Sequence, residues 1–117
     1  MKSVERKQKK NVAVRVNGDV MVLPIDDIQY IEVFGHVLAI HVGENVYNVK
    51  RSLSEFEQSL EGAGFSRASH SCLINLKYVR CVVKNDVVLY AEPKDVKIPL
   101  SRTRKKPFID ALLNYTR

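Results

Sequence analysis

The sequence predicts a single, mainly β domain with one or two short helices. The first observation is a series of short runs rich in Val, Ile and Tyr, separated by turn residues. The second is that only two segments carry apolar residues at helical spacing. The third is the length of 117 residues, with 45% hydrophobic and 27% charged residues, which fits one globular domain. Because no apolar run approaches the ~20 residues of a membrane-spanning helix, we expect no membrane segment in this chain.

The predicted strands are separated by short turns. Asn11–Val16 and Val20–Leu23 flank Asn17-Gly18-Asp19, a hairpin signal in which Gly supplies a positive φ. Further tight connections are expected at Gly35-His36 and at Asn85-Asp86. The remaining predicted strands are Ile28–Phe34, Val37–Val42, Val46–Lys50, Tyr78–Lys84, Val87–Ala91 and Val96–Pro99.

A first helix is predicted after Arg51. The segment 52–57 contains two overlapping S-x-x-E capping boxes, Ser52/Glu55 and Ser54/Glu57. In such a box each side chain satisfies a backbone donor at the start of a helix. Leu53, Phe56 and Leu60 follow at helical spacing, and the glycines at 62 and 64 end the helix.

A second helix is predicted near the C-terminus. Phe108, Leu112 and Leu113 belong to an amphipathic stripe and are expected to lie in the core. Pro107 lacks a backbone donor and clashes with the preceding turn of a helix. We therefore expect the basic cluster of residues 102–106 to form a loop or an irregular turn.

The positive charge is concentrated at the two ends of the chain. Residues 1–15 carry a net charge of +5 and residues 101–117 carry +4, whereas residues 16–100 carry −3. Clustered cations attract phosphate and displace its counterions, so this distribution favours a polyanionic partner. The alternative is that residues 1–10 are a basic tail without a specific role. The expected domain then spans residues 11–117.

Catalytic and metal sites are not expected. His36 and His41 are five residues apart on a predicted strand and would point to opposite faces, so they cannot share a metal ion. Cys72 lies in an apolar run and is expected to be a buried, inert thiol. We therefore expect a protein that is not an enzyme and has no cofactor or metal. Two cysteines and the lack of a secretory signal predict a cytoplasmic location.

An ordered series of motifs resembles the LytTR family of bacterial DNA-binding domains. The motifs are Ile28–Glu32, the Lys50–Leu53 segment, Phe65–Asn75 and Ile98–Arg102. The resemblance covers about residues 10–115. It implies small stacked antiparallel sheets with one or two short helices, and loops that enter successive major grooves of double-stranded DNA.

The resemblance also implies site residues. Three positions match loop residues that reach base edges in the family: His36, His70 and Arg102. Six match contacts to the DNA backbone: Lys50, Arg51, Ser52, Ser71, Thr103 and Lys105. The family usually has His then Arg where this chain has Ser69-His70, and an aromatic or aliphatic residue where it has Cys72.

The resemblance implies a role as the output domain of a bacterial transcription regulator in a two-component system. The expected partners are double-stranded DNA with promoter repeats, a receiver domain or sensor upstream in the full protein, and a second copy of the domain on DNA. Two alternatives stay open at this point. One is an RNA-binding β-domain, and the other is a protein-interaction β-domain with basic tails.

Overall fold

The computed structural model describes residues 9–116 and is mainly β, as predicted. Three small antiparallel sheets carry the fold, together with two helices. A central five-stranded sheet is flanked in the chain by a two-stranded and a three-stranded sheet. In the described part of the chain, neither helix is both long and apolar enough to cross a membrane.

The elements follow one another with short connections. In chain order the elements are β1 (Asn11–Val16), β2 (Asp19–Pro24), β3 (Ile28–Phe34), β4 (Val37–Val42), β5 (Asn45–Val49), α1 (Leu53–Ser59), β6 (Phe65–Ser69), β7 (Cys72–Asn75), β8 (Val79–Val83), β9 (Asp86–Leu89), β10 (Val96–Pro99) and α2 (Arg102–Tyr115). The first sheet pairs β1 with β2, the central sheet has the order β5-β4-β3-β7-β6, and the third has the order β10-β9-β8.

The central sheet is buried on both faces. Neighbouring residues of a strand point to opposite faces, and Ile31 and Tyr30 accordingly pack into different hydrophobic clusters. The cluster around Ile31 includes Val14 of β1 and Phe56 of α1. The cluster around Tyr30 includes Val87 of β9 and Phe108 of α2, neither of which has accessible surface, along with Ile98. The outer sheets and the two helices therefore cover the central sheet from two sides.

The predicted turns are observed, one of them displaced by a residue. Asn17 and Gly18, both at positive φ, connect β1 to β2 as the hairpin signal predicts. The turn between β8 and β9 is Lys84-Asn85, because Val83 pairs with Asp86. Asn75 is buried, and its amide group donates to the Ile28 carbonyl and accepts from the Lys77 amide. It thereby fixes the turn that follows β7.

The expectation for residues 102–106 is wrong, because α2 begins at Arg102. Pro107 lies inside the helix, at a position exposed to solvent. The carbonyl that loses its helical donor belongs to Thr103, which is also exposed and can bind water instead. Leu113 is 59% exposed and not in the core, whereas Phe108 is fully buried.

Candidate nucleic-acid interface

Three chain segments emerge at the same end of the central sheet. Glu32 near the end of β3 pairs with Cys72 at the start of β7, and the Val33 amide donates to the Ser71 carbonyl at 2.9 Å. The β3–β4 turn and the β6–β7 turn therefore lie side by side. Leu38 at the start of β4 pairs with Val49 at the end of β5, so the chain enters α1 at this end as well.

These segments border a groove of about 650 Å³, which we call the main groove. His36 enters it from the β3–β4 turn and His70 from the β6–β7 turn, and both side chains are exposed. Lys50, Arg51 and Ser52 line it from the connection between β5 and α1. The structure thus brings together five of the nine residues for which the sequence predicts DNA contacts.

Arg67 ties the His70 turn to α1. Its Nε donates to the Glu57 carboxylate at 2.9 Å, one Nη donates to the His70 carbonyl at 2.9 Å, and the other Nη lies 3.4 Å from the Ser54 hydroxyl. The side chain lines the main groove but is only 10% exposed. Arg67 is not among the residues for which the sequence predicts DNA contacts. Its place in the Phe65–Asn75 motif was the one indication, since its partners on α1 are distant in sequence.

The basic side chains beside α1 differ in how firmly they are held. The Arg51 guanidinium lies 4.9 Å from the centre of the Phe56 ring and 3.5 Å from the Ser59 hydroxyl, so it packs along α1. Lys50 is exposed. The Ser52 hydroxyl accepts a hydrogen bond from the Glu55 amide at 3.1 Å and caps the helix, as the first of the two capping boxes predicts, whereas Ser54 lies inside α1.

A second groove of about 400 Å³ adjoins the main groove, and Val33 lines both. Ser71 lies in this second groove, where its hydroxyl is 3.3 Å from the Ser69 hydroxyl. Exposed Phe34 lines it from the end of β3, and Ser101 lines it from the position just before α2. Ser71 and His70 therefore line different cavities.

The start of α2 is fixed beside the β6–β7 turn. The Ser101 amide donates to the Ala68 carbonyl at 2.8 Å, two residues before His70. Arg102 and Thr103 follow as the first, exposed residues of α2, outside both grooves. Lys105 Nζ donates to the Asn85 side chain at 3.3 Å. These three predicted contacts form a separate group that is joined to the turns through β6.

Cys72 and Tyr30, which line the second groove, both have a raised pKa. Burial, reinforced by the negative charge of Glu32, raises the pKa of the Cys72 thiol to about 12. The same two causes raise the pKa of Tyr30 to about 12. His41 stacks on Tyr30 with ring centres 3.9 Å apart and forms a 2.9 Å bond to Glu32. His41 does not line either groove. Residues 9–116 contain no group of three side chains suited to a metal ion.

Exposed imidazole and cationic side chains at one end of a covered sheet define a β-type domain suited to a polyanion. The sequence matches the LytTr DNA-binding domain over residues 18–113, and the chain belongs to the LytTR family. This is a family of DNA-binding domains and not of enzymes. No curated protein sequence gives a significant match.

The fold is also that of a solved LytTr domain. The chain resembles the LytTr DNA-binding domain of a methyl-accepting/DNA response regulator from Bacillus cereus, with a TM-score of 0.73. The two share 20% sequence identity, and the match covers 89% of this chain and 97% of the other. The arrangement of three small sheets and two helices is therefore the LytTr fold, as the sequence resemblance implies.

Proposed function

We propose that this domain reads double-stranded DNA sequence-specifically through turns inserted in the major groove. The observation that carries the proposal is the placement of His36 and His70 on adjacent exposed turns at one end of the central sheet. Arg102 lies at the start of α2, which is bonded to the strand that precedes the His70 turn. The three side chains are assigned to base edges.

The chemistry of each side chain suits its proposed partner. Arg102 carries a guanidinium that can donate two parallel hydrogen bonds to guanine O6 and N7. An imidazole makes a single directed contact, so His36 and His70 contribute less discrimination each. The six other residues are assigned to phosphates and sugars, which orient the protein without reading sequence. They are Lys50, Arg51, Ser52, Ser71, Thr103 and Lys105.

In the cell, we assign the domain to a bacterial transcription regulator of a two-component system. A receiver domain or sensor elsewhere in the full protein would supply the signal, and the bound DNA would be promoter repeats. Binding of two copies to successive repeats follows from this assignment. Residues 11–117 are assigned to the domain. The basic segment 1–10 adds affinity for phosphates. Residues 1–8 of that segment lie outside the described structure.

Exposed Phe34 supports a second candidate, the binding of single-stranded RNA. Phe34 is 62% exposed beside the His36 turn, where a base could stack on its ring. Phe34→Ala separates the two functions, because the loss of a stacking platform weakens single-strand binding and leaves duplex affinity nearly unchanged.

The first prediction tests base reading by Arg102. A specific duplex is first selected from a random library with the wild-type protein. Arg102→Ala should then cost on the order of 1–3 kcal/mol on that duplex and much less on a scrambled one. His36→Ala and His70→Ala should act in the same direction, more weakly. Competition titrations of each variant against both duplexes provide the measurement.

Lys105→Ala is the matched control on the same helix. It should weaken both duplexes alike and lower the salt dependence of binding by about one slope unit, because it removes a phosphate contact. Equal losses for Arg102→Ala on the two duplexes would make Arg102 a phosphate contact. A duplex affinity independent of salt would contradict DNA binding by this surface.

A further inference from the structure

A third cavity lies between the β1–β2 hairpin and the edge of the central sheet. It has a volume of about 360 Å³, and we call it the hairpin cleft. Arg15, Asn17 and Gly18 line it from the hairpin, whereas Asn48 and Lys50 line it from β5 and the residue that follows. None of the hairpin residues belongs to the proposed DNA contacts.

The hairpin cleft continues the main groove. Lys50 and Arg51 line both cavities. Val37 lines the hairpin cleft and directly follows His36, which lines the main groove. A DNA strand seated over the His36 turn would therefore pass on toward the hairpin.

The charge of the hairpin cleft suits an anion. Arg15 and Lys50 are exposed, and neither forms an ion pair with any residue between 9 and 116. The acidic residue of the hairpin, Asp19, does not line the cleft. Three cationic residues, Arg15, Lys50 and Arg51, thus line one cavity without a neutralising carboxylate, which raises the local positive potential.

The hairpin turn brings a neutral donor to the same cavity. Asn17 and Gly18 both have positive φ, at 50° and 87°, and this tight turn presents the Asn17 side chain to solvent. Space is open around Gly18, where an added Cβ would meet no atom within 4 Å. Asn amides and Arg guanidinium groups are both common donors to phosphate oxygens.

We propose that the hairpin cleft binds a DNA backbone phosphate that flanks the bases read by the turns. Arg15 and Asn17 hold the phosphate, and Lys50 connects this site to the main groove. The proposal rests on the proposed function and extends its footprint to the side of β1 and β2. It assigns a binding role to a hairpin that otherwise only covers the core.

The test compares Arg15→Gln with Lys94→Gln. Lys94 is also exposed, and it lies on the connection between β9 and β10, away from both cavities. On a long duplex that contains the selected site, Arg15→Gln should weaken binding about threefold to tenfold and lower the salt slope by about one unit. Specific and scrambled duplexes should lose affinity equally. Lys94→Gln should match the wild type.

A series of shortened duplexes locates the contact. When the flank beside the hairpin is removed, wild type and Arg15→Gln should bind equally, because the phosphate is then missing. Arg15→Lys keeps the positive charge and should show the salt dependence of the wild type. This variant distinguishes the loss of a phosphate contact from a loss of folding. Equal binding of Arg15→Gln and Lys94→Gln to the long duplex would overturn the phosphate site.

A different result would contradict the proposed function. Wild-type protein that binds specific and scrambled duplexes equally would contradict sequence reading, and an effect of Arg15→Gln would still support the phosphate site. Wild-type protein that binds no duplex would overturn both proposals.

Discussion

The buried Cys72 thiol makes the stability of the domain depend on pH. The thiol is 6% exposed, and its pKa rises from the ordinary 9.0 to about 12 because of burial first and Glu32 second. Above pH 9 the unfolded chain releases this proton, whereas the folded chain keeps it until about pH 12. The folded state then binds more protons, so the free energy of unfolding falls as pH rises.

The second prediction follows for the alkaline range. Between pH 9 and about 12, Cys72 should lower the free energy of unfolding by at most about 1.4 kcal/mol per pH unit. Cys72→Ala should reduce this slope, and urea unfolding at a series of pH values measures it. The residual slope belongs to Tyr30, whose pKa is raised from 10.0 to about 12, and to Tyr78, whose pKa is also raised by burial. An unchanged slope in Cys72→Ala would refute this account.

Helix α1 combines a structural and a proposed binding role in one residue. The Ser52 hydroxyl caps the helix by accepting from the Glu55 amide, and the same hydroxyl is exposed toward the main groove. A loss of DNA affinity in a Ser52 variant is therefore ambiguous unless the two roles are separated. An aspartate at position 52 separates the two roles. It also caps a helix, but its side chain is negatively charged, as a DNA phosphate is.

The third prediction uses this difference. Ser52→Ala should lower the free energy of unfolding by about 1 kcal/mol, because the cap is lost. Ser52→Asp should keep near-wild-type stability and nevertheless bind duplex DNA more weakly, because its carboxylate repels the backbone. Thermal unfolding and duplex titration of the same samples provide both readouts. Ser52→Asp with wild-type affinity would remove Ser52 from the proposed contacts.

At the scale of elements, the sequence predicts those that local patterns define. Eight strands and α1 follow from Val- and Ile-rich runs, turn glycines and the capping box. The sequence does not predict β6 and β7. Polar residues interrupt β6 at Ser66, Arg67 and Ser69, and all four residues of β7 are buried, so neither strand shows an alternating pattern. β7 forms a strand because it pairs with β3, which is distant in the sequence. The local sequence pattern does not indicate such a long-range pairing. The first turn of α2 was missed because the penalty for Pro107 depends on solvent access to the Thr103 carbonyl, which the sequence does not give.

The residues of the candidate site likewise fall into two groups, those expected from the sequence and those whose roles depend on the fold. The resemblance supplied His36, His70 and Arg102 as expectations, and their contacts with DNA remain predictions. The roles of Arg67 and Arg15 depend on neighbours from other elements, Glu57 in one case and Lys50 in the other. Only the folded chain brings these pairs together.

For the whole molecule, the two hydrophobic clusters share the central sheet. Ile31 packs on one face and Ile74 on the other, and the strands that carry them are paired directly. A loss of packing on one face of the sheet should therefore destabilise the clusters on both faces. The domain should unfold in one cooperative step.

The fourth prediction tests this coupling. Phe108 is fully buried in the cluster beside α2, so Phe108→Ala should cost about 3–5 kcal/mol. Urea unfolding followed by methyl NMR signals of Val14 and Val87, one in each cluster, should show one shared and lowered midpoint. Val87 unfolding well before Val14 would mean that the two faces are independent.

The bond between the Ser101 amide and the Ala68 carbonyl also affects how copies of this domain behave at high concentration. Ala68 lies on β6, the outermost strand at one side of the central sheet. Unpaired carbonyls and amides on such an outer strand are templates for strand addition from another chain, which leads to aggregation. The chain entering α2 occupies this position, so the contact that orients Arg102 also protects the edge of the sheet against intermolecular β-pairing.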